Sequence, residues 1–181
     1  MTANGTVNTL GLIPYMVKVE AYITPGLPYF SIIGVPDASL SPLREQIRNA
    51  VESTGRTWPQ QRVTVNLSPA SIPKQGSQIA LPIALAVIHA MEGQPESAEE
   101  TCVLGGIDAN GNVTPITNLT PMLDYCRNHG IDSIITPKTN HEETTHTGID
   151  AHEVETLEEA IAKIKTITSP EQGTGTQPAV R

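Results

Sequence analysis

The 181 residues carry 11 basic and 19 acidic side chains, for a formal net charge of −8, and 38% of them are hydrophobic. That length fits one domain, or one domain with a tail, and supports a core without disulfide or metal staples. The acidic balance excludes a strong autonomous nucleic-acid binder, whose affinity comes from neutralised phosphates, and no apolar run reaches the roughly 18 residues of a membrane span.

With one Trp and one Phe, the core has to be built from Ile, Val, Leu and Ala, and 15 Pro and 14 Gly imply many turns. The charge is unevenly spread. Residues 1–80 hold six basic side chains (Lys18, Arg44, Arg48, Arg56, Arg62, Lys74) and four acidic ones; the remainder holds five and fifteen. Any face that meets an anion is expected from the first half. Cys102 and Cys126 match no metal spacing and read as reduced, buried thiols. The N-terminus lacks the basic start and apolar stretch of a signal peptide, so the expected location is the cytoplasm.

In chain order, residues 1–10 are polar and are expected to fray. Pro14 to Thr24 alternates, with Val17, Val19, Ala21 and Ile23 against Lys18, Glu20 and Tyr22, as a half-buried strand does. Pro25-Gly26-Leu27-Pro28 is a turn and Tyr29 to Gly34 a second strand, so 14–34 reads as a β-hairpin. Asp37 or Ser41 then caps a helix with Pro42 early and Leu43, Ile47, Ala50, Val51 and Thr54 inward; Gly55 ends it. Arg44 and Arg48, four apart, share one exposed face, which reads as a solvated face or as a subunit or phosphate contact. Arg62 to Leu67 alternates again as a strand. Ser68 to Gln78 holds Pro69, Pro73 and Gly76, which suit neither helix nor strand interiors. From Ile79 to Met91 the chain is nearly apolar all round, which predicts a buried central helix, with Pro82 tolerated in its first turn.

Gly93 to Glu100 reads as an acidic loop and Thr101 to Asp108 as a strand, with Asn110-Gly111 a hairpin turn from which Asn112 to Ile116 pairs back. A helix from Leu119 or Thr120 to about His129 turns Met122, Leu123 and Cys126 inward and ends at Gly130. Ile131 to Thr136 is a short buried strand, Lys138 to Thr145 a polar helix or loop, Ala151 to Val154 a short strand, and Leu157 to Ile167 an amphipathic helix. Ser169 to Arg181 has no periodicity and reads as linker. The order β-β-α-β-α-β-β-α-β-(α)-β-α predicts an α/β (α+β) sandwich with mixed strand pairing.

Candidate chemistry centres on the loop before the apolar helix. Ser68, Ser71 and Ser77 are hydroxyls near Lys74, and a serine nucleophile needs a base such as a desolvated lysine. The amides at the start of the next helix can stabilise an anion. Two readings stay open here: a Ser–Lys hydrolase, or a helix capped by Ser77 or Gln78. His141 and His146 stand five apart, roughly 140° around a helix, so they cannot face one metal as zincin histidines do; they read as polar surface. His89 reads as a core or helix-end histidine. The Gly105-Gly106 pair sits in a strand-turn, and no Gly-x-x-x-x-Gly-Lys-Ser/Thr run occurs, so the chain is not expected to hydrolyse ATP.

Three runs carry a resemblance: GLPYFSIIGVPDASLSPLREQIRNAVESTG (26–55), VTVNLSPASIPKQGSQIALPIALAVI (63–88) and VLGGIDANGNVTPI (103–116). Together they resemble the N-terminal domain of the ComM/YifB family, the bacterial "magnesium chelatase-like" AAA+ ATPases. The resemblance implies a domain over 11–167, similar to the proteolytic domain of Lon within the ribosomal protein S5 domain 2-like fold, with 168–181 as a linker or disordered tail. Lon proteases carry a nucleophile in a Pro-Lys-Asp-Gly-Pro-Ser block. Pro73-Lys74-Gln75-Gly76-Ser77-Gln78 aligns with it and places Gln78 at the serine, with Ser77 one residue early. The Lon lysine lies in a Pro-Ile-Gly-Gly-Leu-Lys block, and Pro115-Ile116-Thr117-Asn118-Leu119-Thr120 places Thr120 there. Both members of the dyad are thus replaced, since an amide is no nucleophile and a hydroxyl no base near neutral pH. At Ala80 the sequence also departs from the acidic residue the family usually has.

By this resemblance the domain is a catalytically silent scaffold beside an AAA+ module, in cis or in trans, of a DNA branch-migration helicase that forms hexamers. The expected contacts are subunits, partners or DNA through Arg44, Arg48, Arg56, Arg62 and Lys74, with DNA binding weak for this chain alone. ATP and Mg belong to the ATPase module of full-length relatives; no cofactor, metal or membrane contact is expected of this chain. The rival readings are a residual serine peptidase using Ser77 and a stand-alone nucleic-acid-binding module.

Overall fold

The computed structural model describes residues 2–10, 13–70, 78–94 and 101–168. Nine strands and five helices among them follow the order β1 (Thr2–Leu10), β2 (Ile13–Thr24), β3 (Tyr29–Ile33), α1 (Asp37–Ser53), β4 (Arg62–Ser68), α2 (Ala80–Met91), β5 (Thr101–Val103), β6 (Gly106–Ile107), β7 (Val113–Thr114), α3 (Leu119–Asn128), β8 (Ser133–Pro137), α4 (His141–Thr147), β9 (His152–Val154) and α5 (Leu157–Thr168). Seven strands form one mixed sheet, β3-β4-β2-β1-β5-β8-β9, and β6 with β7 makes a separate hairpin. The mixed α/β architecture is as expected, and so is the hairpin around Asn110-Gly111, with Ile107 opposite Val113.

The period-2 alternation of the strands sorts the sheet into two cores. Val103 and Ile135 join Val17, Val19, Ala21, Val63, Val65 and Leu67 under α1, α2 and α5. Their chain neighbours Cys102 and Ile134 point to the other face, where they meet Leu119, Met122, Leu123 and Cys126 of α3. Helix α2 is buried along Ala80–Ile88 because it lies on β1 and β2 and is flanked by α1 and α5. That is why its sequence is apolar all round.

Four expectations are corrected. The N-terminal residues are strand rather than fray: β1 pairs antiparallel with β2 over nine positions and parallel with β5 at Gly5–Cys102. Its Thr6 and Asn8 are buried, so neighbours on both edges, not its own hydrophobicity, make it a strand. Residues 14–34 are not a hairpin, because β4 lies between β2 and β3, antiparallel to the first and parallel to the second. Pro25 and Pro28 flank the turn, and each lacks an N–H that a tight antiparallel pair would use there.

Helix α1 begins at Asp37, so the cap position falls on Pro36, without a side-chain cap bond, and Pro42 lies inside the helix. The strand expected over 101–108 breaks at Leu104-Gly105. Gly105 has φ +157°, a Cβ there would lie 2.8 Å from Leu81 Cδ2, and its carbonyl accepts from Leu81 N at 3.2 Å. The break is where the start of α2 docks, and a side chain at 105 would have to displace the buried Leu81.

Candidate functional site

β4, second in the sheet order, and α2, lying on β1 and β2, stand on either side of residues 71–77. Residues 71–77 lie outside the described residues, so Ser71, Lys74 and Ser77 have no described position. Ser68 ends β4, exposed. Gln78 is the first described residue beyond the loop. It does not cap α2, whose cap position is Ile79, without a side-chain bond. Instead its Nε2 donates to Thr117 Oγ1 at 2.9 Å. Thr117 stands three residues before Thr120, so the fold brings together the two segments that hold the aligned dyad positions.

At Thr120 the dominant group is a carboxylate. Glu143 Oε2, from α4, accepts from Leu119 N at 3.0 Å, Thr120 N at 3.2 Å and Thr120 Oγ1 at 3.3 Å. Its other oxygen accepts from Asn140 Nδ2 at 2.9 Å. Asn140, itself buried, grips the main chain of Ile116 in both directions: its Oδ1 accepts from Ile116 N at 3.0 Å and its Nδ2 donates to Ile116 O at 2.9 Å. Asn118, at the cap position of α3, is left-handed (φ 57°) and makes no side-chain cap bond. Glu143 therefore caps α3 from another element, placing negative charge where the helix amides are unsatisfied. Sequence reading passed over Asn140 and Glu143, because nothing in a polar stretch 23 or 24 residues away marks them as partners of Ile116 and Thr120.

The basic candidates divide. Arg56 is tied to Glu92 at 3.1 Å and Glu158 at 3.3 Å, joining the end of α1 to α2 and α5. Glu92 also pairs with Lys165 at 3.0 Å. Burial alone would raise the Glu92 carboxyl, but hydrogen bonds from Lys165 and Arg56 outweigh it and hold it below the usual range. Arg62 is exposed at the start of β4, the register partner of Tyr29. Arg48 makes an exposed pair with Glu52 at 3.5 Å. Arg44 turns from the helix face toward β3. Its Nη1 donates to Tyr29 Oη at 3.3 Å and to the Phe30 carbonyl at 3.4 Å, and its guanidinium carbon sits 5.8 Å from the Tyr29 ring centre. Arg44 and Arg48 line a cleft of about 440 Å³ with Tyr29, Phe30, Glu45 and Trp58.

The remaining candidates have local partners. His141 Nδ1 lies 2.8 Å from Glu153. His89, half-buried at the end of α2, is pushed below its ordinary value chiefly by burial. Cys102 and Cys126 are buried thiols with sulfurs 3.4 Å apart. Among the described residues no cluster of three His, Cys, Asp or Glu side chains could hold a metal, and no helix is long and apolar enough to cross a membrane.

Residues 19–140 match the family described as subunit ChlI of Mg-chelatase. The chain belongs to this Mg-chelatase-like family. The matched span runs from β2 to Asn140, so it includes Gln78, Thr120 and the cleft, and stops short of Glu143. Within the family the chain is similar to uncharacterized protein Rv2897c of Mycobacterium tuberculosis, 38% identical over 149 residues, which are 81% of this chain and 30% of that protein. It is similar to uncharacterized protein YifB of Escherichia coli, 36% identical over 46% of this chain and 16% of that protein. Competence protein ComM of Haemophilus influenzae is 31% identical, again over 46% and 16%. The chain thus spans under a third of the length of these relatives, and it aligns with the N-terminal domain of the ComM/YifB type.

Proposed function

We propose that this chain is a catalytically silent, Lon-like domain of a ComM/YifB-type AAA+ ATPase, acting through contacts in assembly or DNA handling rather than through hydrolysis. One observation carries this reading: the Thr120 hydroxyl and the amides around it are committed to the Glu143 carboxylate. A neutral hydroxyl is far too weak a base near neutral pH to take a proton from a nucleophile, and this one is spent as a donor to Glu143. Gln78, hydrogen-bonded to Thr117, offers an amide nitrogen with no nucleophilic lone pair.

ATP and Mg would act in the ATPase module of full-length relatives, and the 181 residues contain no Walker A run. Membership of the family that includes ComM, a competence protein by name, supports DNA handling as the setting. The test is labelling of the chain with a fluorophosphonate probe alongside casein cleavage. No label and no cleavage are expected; label on Ser77, or cleavage abolished by Ser77→Ala, overturns silence in favour of a residual peptidase.

A further inference from the structure

Arg44 stands apart from most of the other cations. Lys18, Arg48, Arg56, Arg127, Lys138 and Lys165 each have a carboxylate partner. Arg44 is held by two neutral acceptors and a ring face, with no carboxylate in ion-pair reach among the described residues. Its side chain is half-buried, so the charge is fixed in place and partly desolvated, which strengthens its attraction for an anion. It lies in the 440 Å³ cleft with Arg48, whose exposed pair with Glu52 is of a kind that contributes little and exchanges readily. Of the charged side chains that line the cleft, two arginines stand against one exposed carboxylate, Glu45, while Glu52, the partner of Arg48, lies outside the lining.

The cleft opens beside β3, one of the two edge strands of the sheet among the described residues; its Phe30 carbonyl is held by Arg44, and an edge of this kind can take an incoming strand. Among the described residues, three of the four exposed large hydrophobic side chains lie on this stretch: Leu27 (83%), Tyr29 (58%) and Ile33 (50%). Aliphatic exposure along a free edge fits a polypeptide better than a nucleic acid. The overall charge of −8 also repels a long polyanion, whereas one carboxylate senses mainly charges within a Debye length, about 8 Å.

We infer that the cleft beside the free edge of β3 binds an acidic, extended polypeptide segment, which adds as a strand to β3 and sets a carboxylate at Arg44 and Arg48. Apolar side chains of the segment cover Leu27 and Ile33, and the Phe30–Trp58 ring pair, 4.8 Å between centres, forms the rigid floor. This deepens the contact-domain reading and rests on it. Absence of peptide binding would leave catalytic silence intact, while Ser77 labelling would overturn silence without altering the peptide result.

The test uses the full 181-residue chain and a fluorescein-labelled octapeptide alternating Glu and Val, followed by anisotropy. Binding should weaken with salt, and by at least about tenfold in the double variant Arg44→Glu, Arg48→Glu. The Lys/Val counterpart should not bind. Arg44→Gln, which removes the charge but keeps a donor, serves as a second variant and should weaken binding severalfold. Amide hydrogen exchange at residues 29–33 should slow on binding. Equal binding of the two peptides, unaltered affinity in both variants, or protection away from β3 would overturn the proposal. So would binding of an oligo-dT of about 20 nucleotides in place of the acidic peptide.

Discussion

Replacing Glu143 by Ala removes four hydrogen bonds at once, two of them from helix amides that have no other cap. Loss of an N-terminal cap costs about 1 kcal/mol. Leaving donors unmatched adds to this, because a stranded N–H loses its solvation as well as its partner. Leu119 is fully buried while Thr120 and Glu143 are half-buried, so water can replace part of the lost bonding. We expect about 2 kcal/mol of destabilisation, or roughly 4–8 °C in Tm for a chain of this size. Glu143→Gln keeps an acceptor oxygen and should cost about half as much. Glu142→Ala, exposed on the same helix, is the control and should stay within about 0.5 kcal/mol. Urea unfolding followed by circular dichroism gives all three values. If Glu143→Ala were as mild as Glu142→Ala, the carboxylate would not be what holds α3 and Thr120 in place.

Gly34 has φ +104°, and a Cβ there would lie 2.5 Å from the Leu67 carbonyl oxygen; Gly34→Ala should therefore cost about 3 kcal/mol or prevent folding, and a shift in urea midpoint below 1 kcal/mol equivalent would contradict this geometry. Ile83, fully buried in α2, should lose about 2–5 kcal/mol as Ala, whereas Ile33→Ala on the exposed β3 edge should stay within about 0.5 kcal/mol, both read from chemical denaturation. Glu92 has a folded-state pKa below its unfolded value. Its contribution is therefore full above the unfolded carboxylate pKa and is lost as pH falls through the folded one. Glu92→Gln should cost about 1 kcal/mol at neutral pH, with a gap from wild type that closes in acid. A gap independent of pH would place the effect in packing instead.

Much of the fold is legible in the chain because it is written locally. Val63, Val65 and Leu67 announce β4 by alternation, the apolar run after Ile79 announces α2, and Asn110-Gly111 announces the β6–β7 turn. β1 escapes such reading, since TANGTVNTL is too polar to look like an internal strand; pairing with β2 and β5 on either side makes it one. The supposed 14–34 hairpin fails for a related reason: alternation identifies strands but does not say which strand lies beside which, and β4 takes the middle place.

For the site, the aligned positions Gln78 and Thr120 were readable as residues, and the proposal of catalytic silence starts from their side-chain types. What surrounds them was not readable. Glu143 reaches Thr120 across 23 residues, and Gln78 reaches Thr117 across 39; no period or spacing encodes such meetings. The basic residues of the first half looked equivalent in the sequence, yet the fold neutralises Arg56 between two glutamates and, among the described residues, leaves Arg44 beside a cleft with only neutral partners. The sequence by itself determined the class of the fold, most of its buried strands and helices apart from β1, and its membership of a family. Only the tertiary structure decided strand order, helix capping from a distance and which charges stay uncompensated. Hydrophobic periodicity acts over neighbouring residues, whereas pairing and charge compensation depend on distance through space.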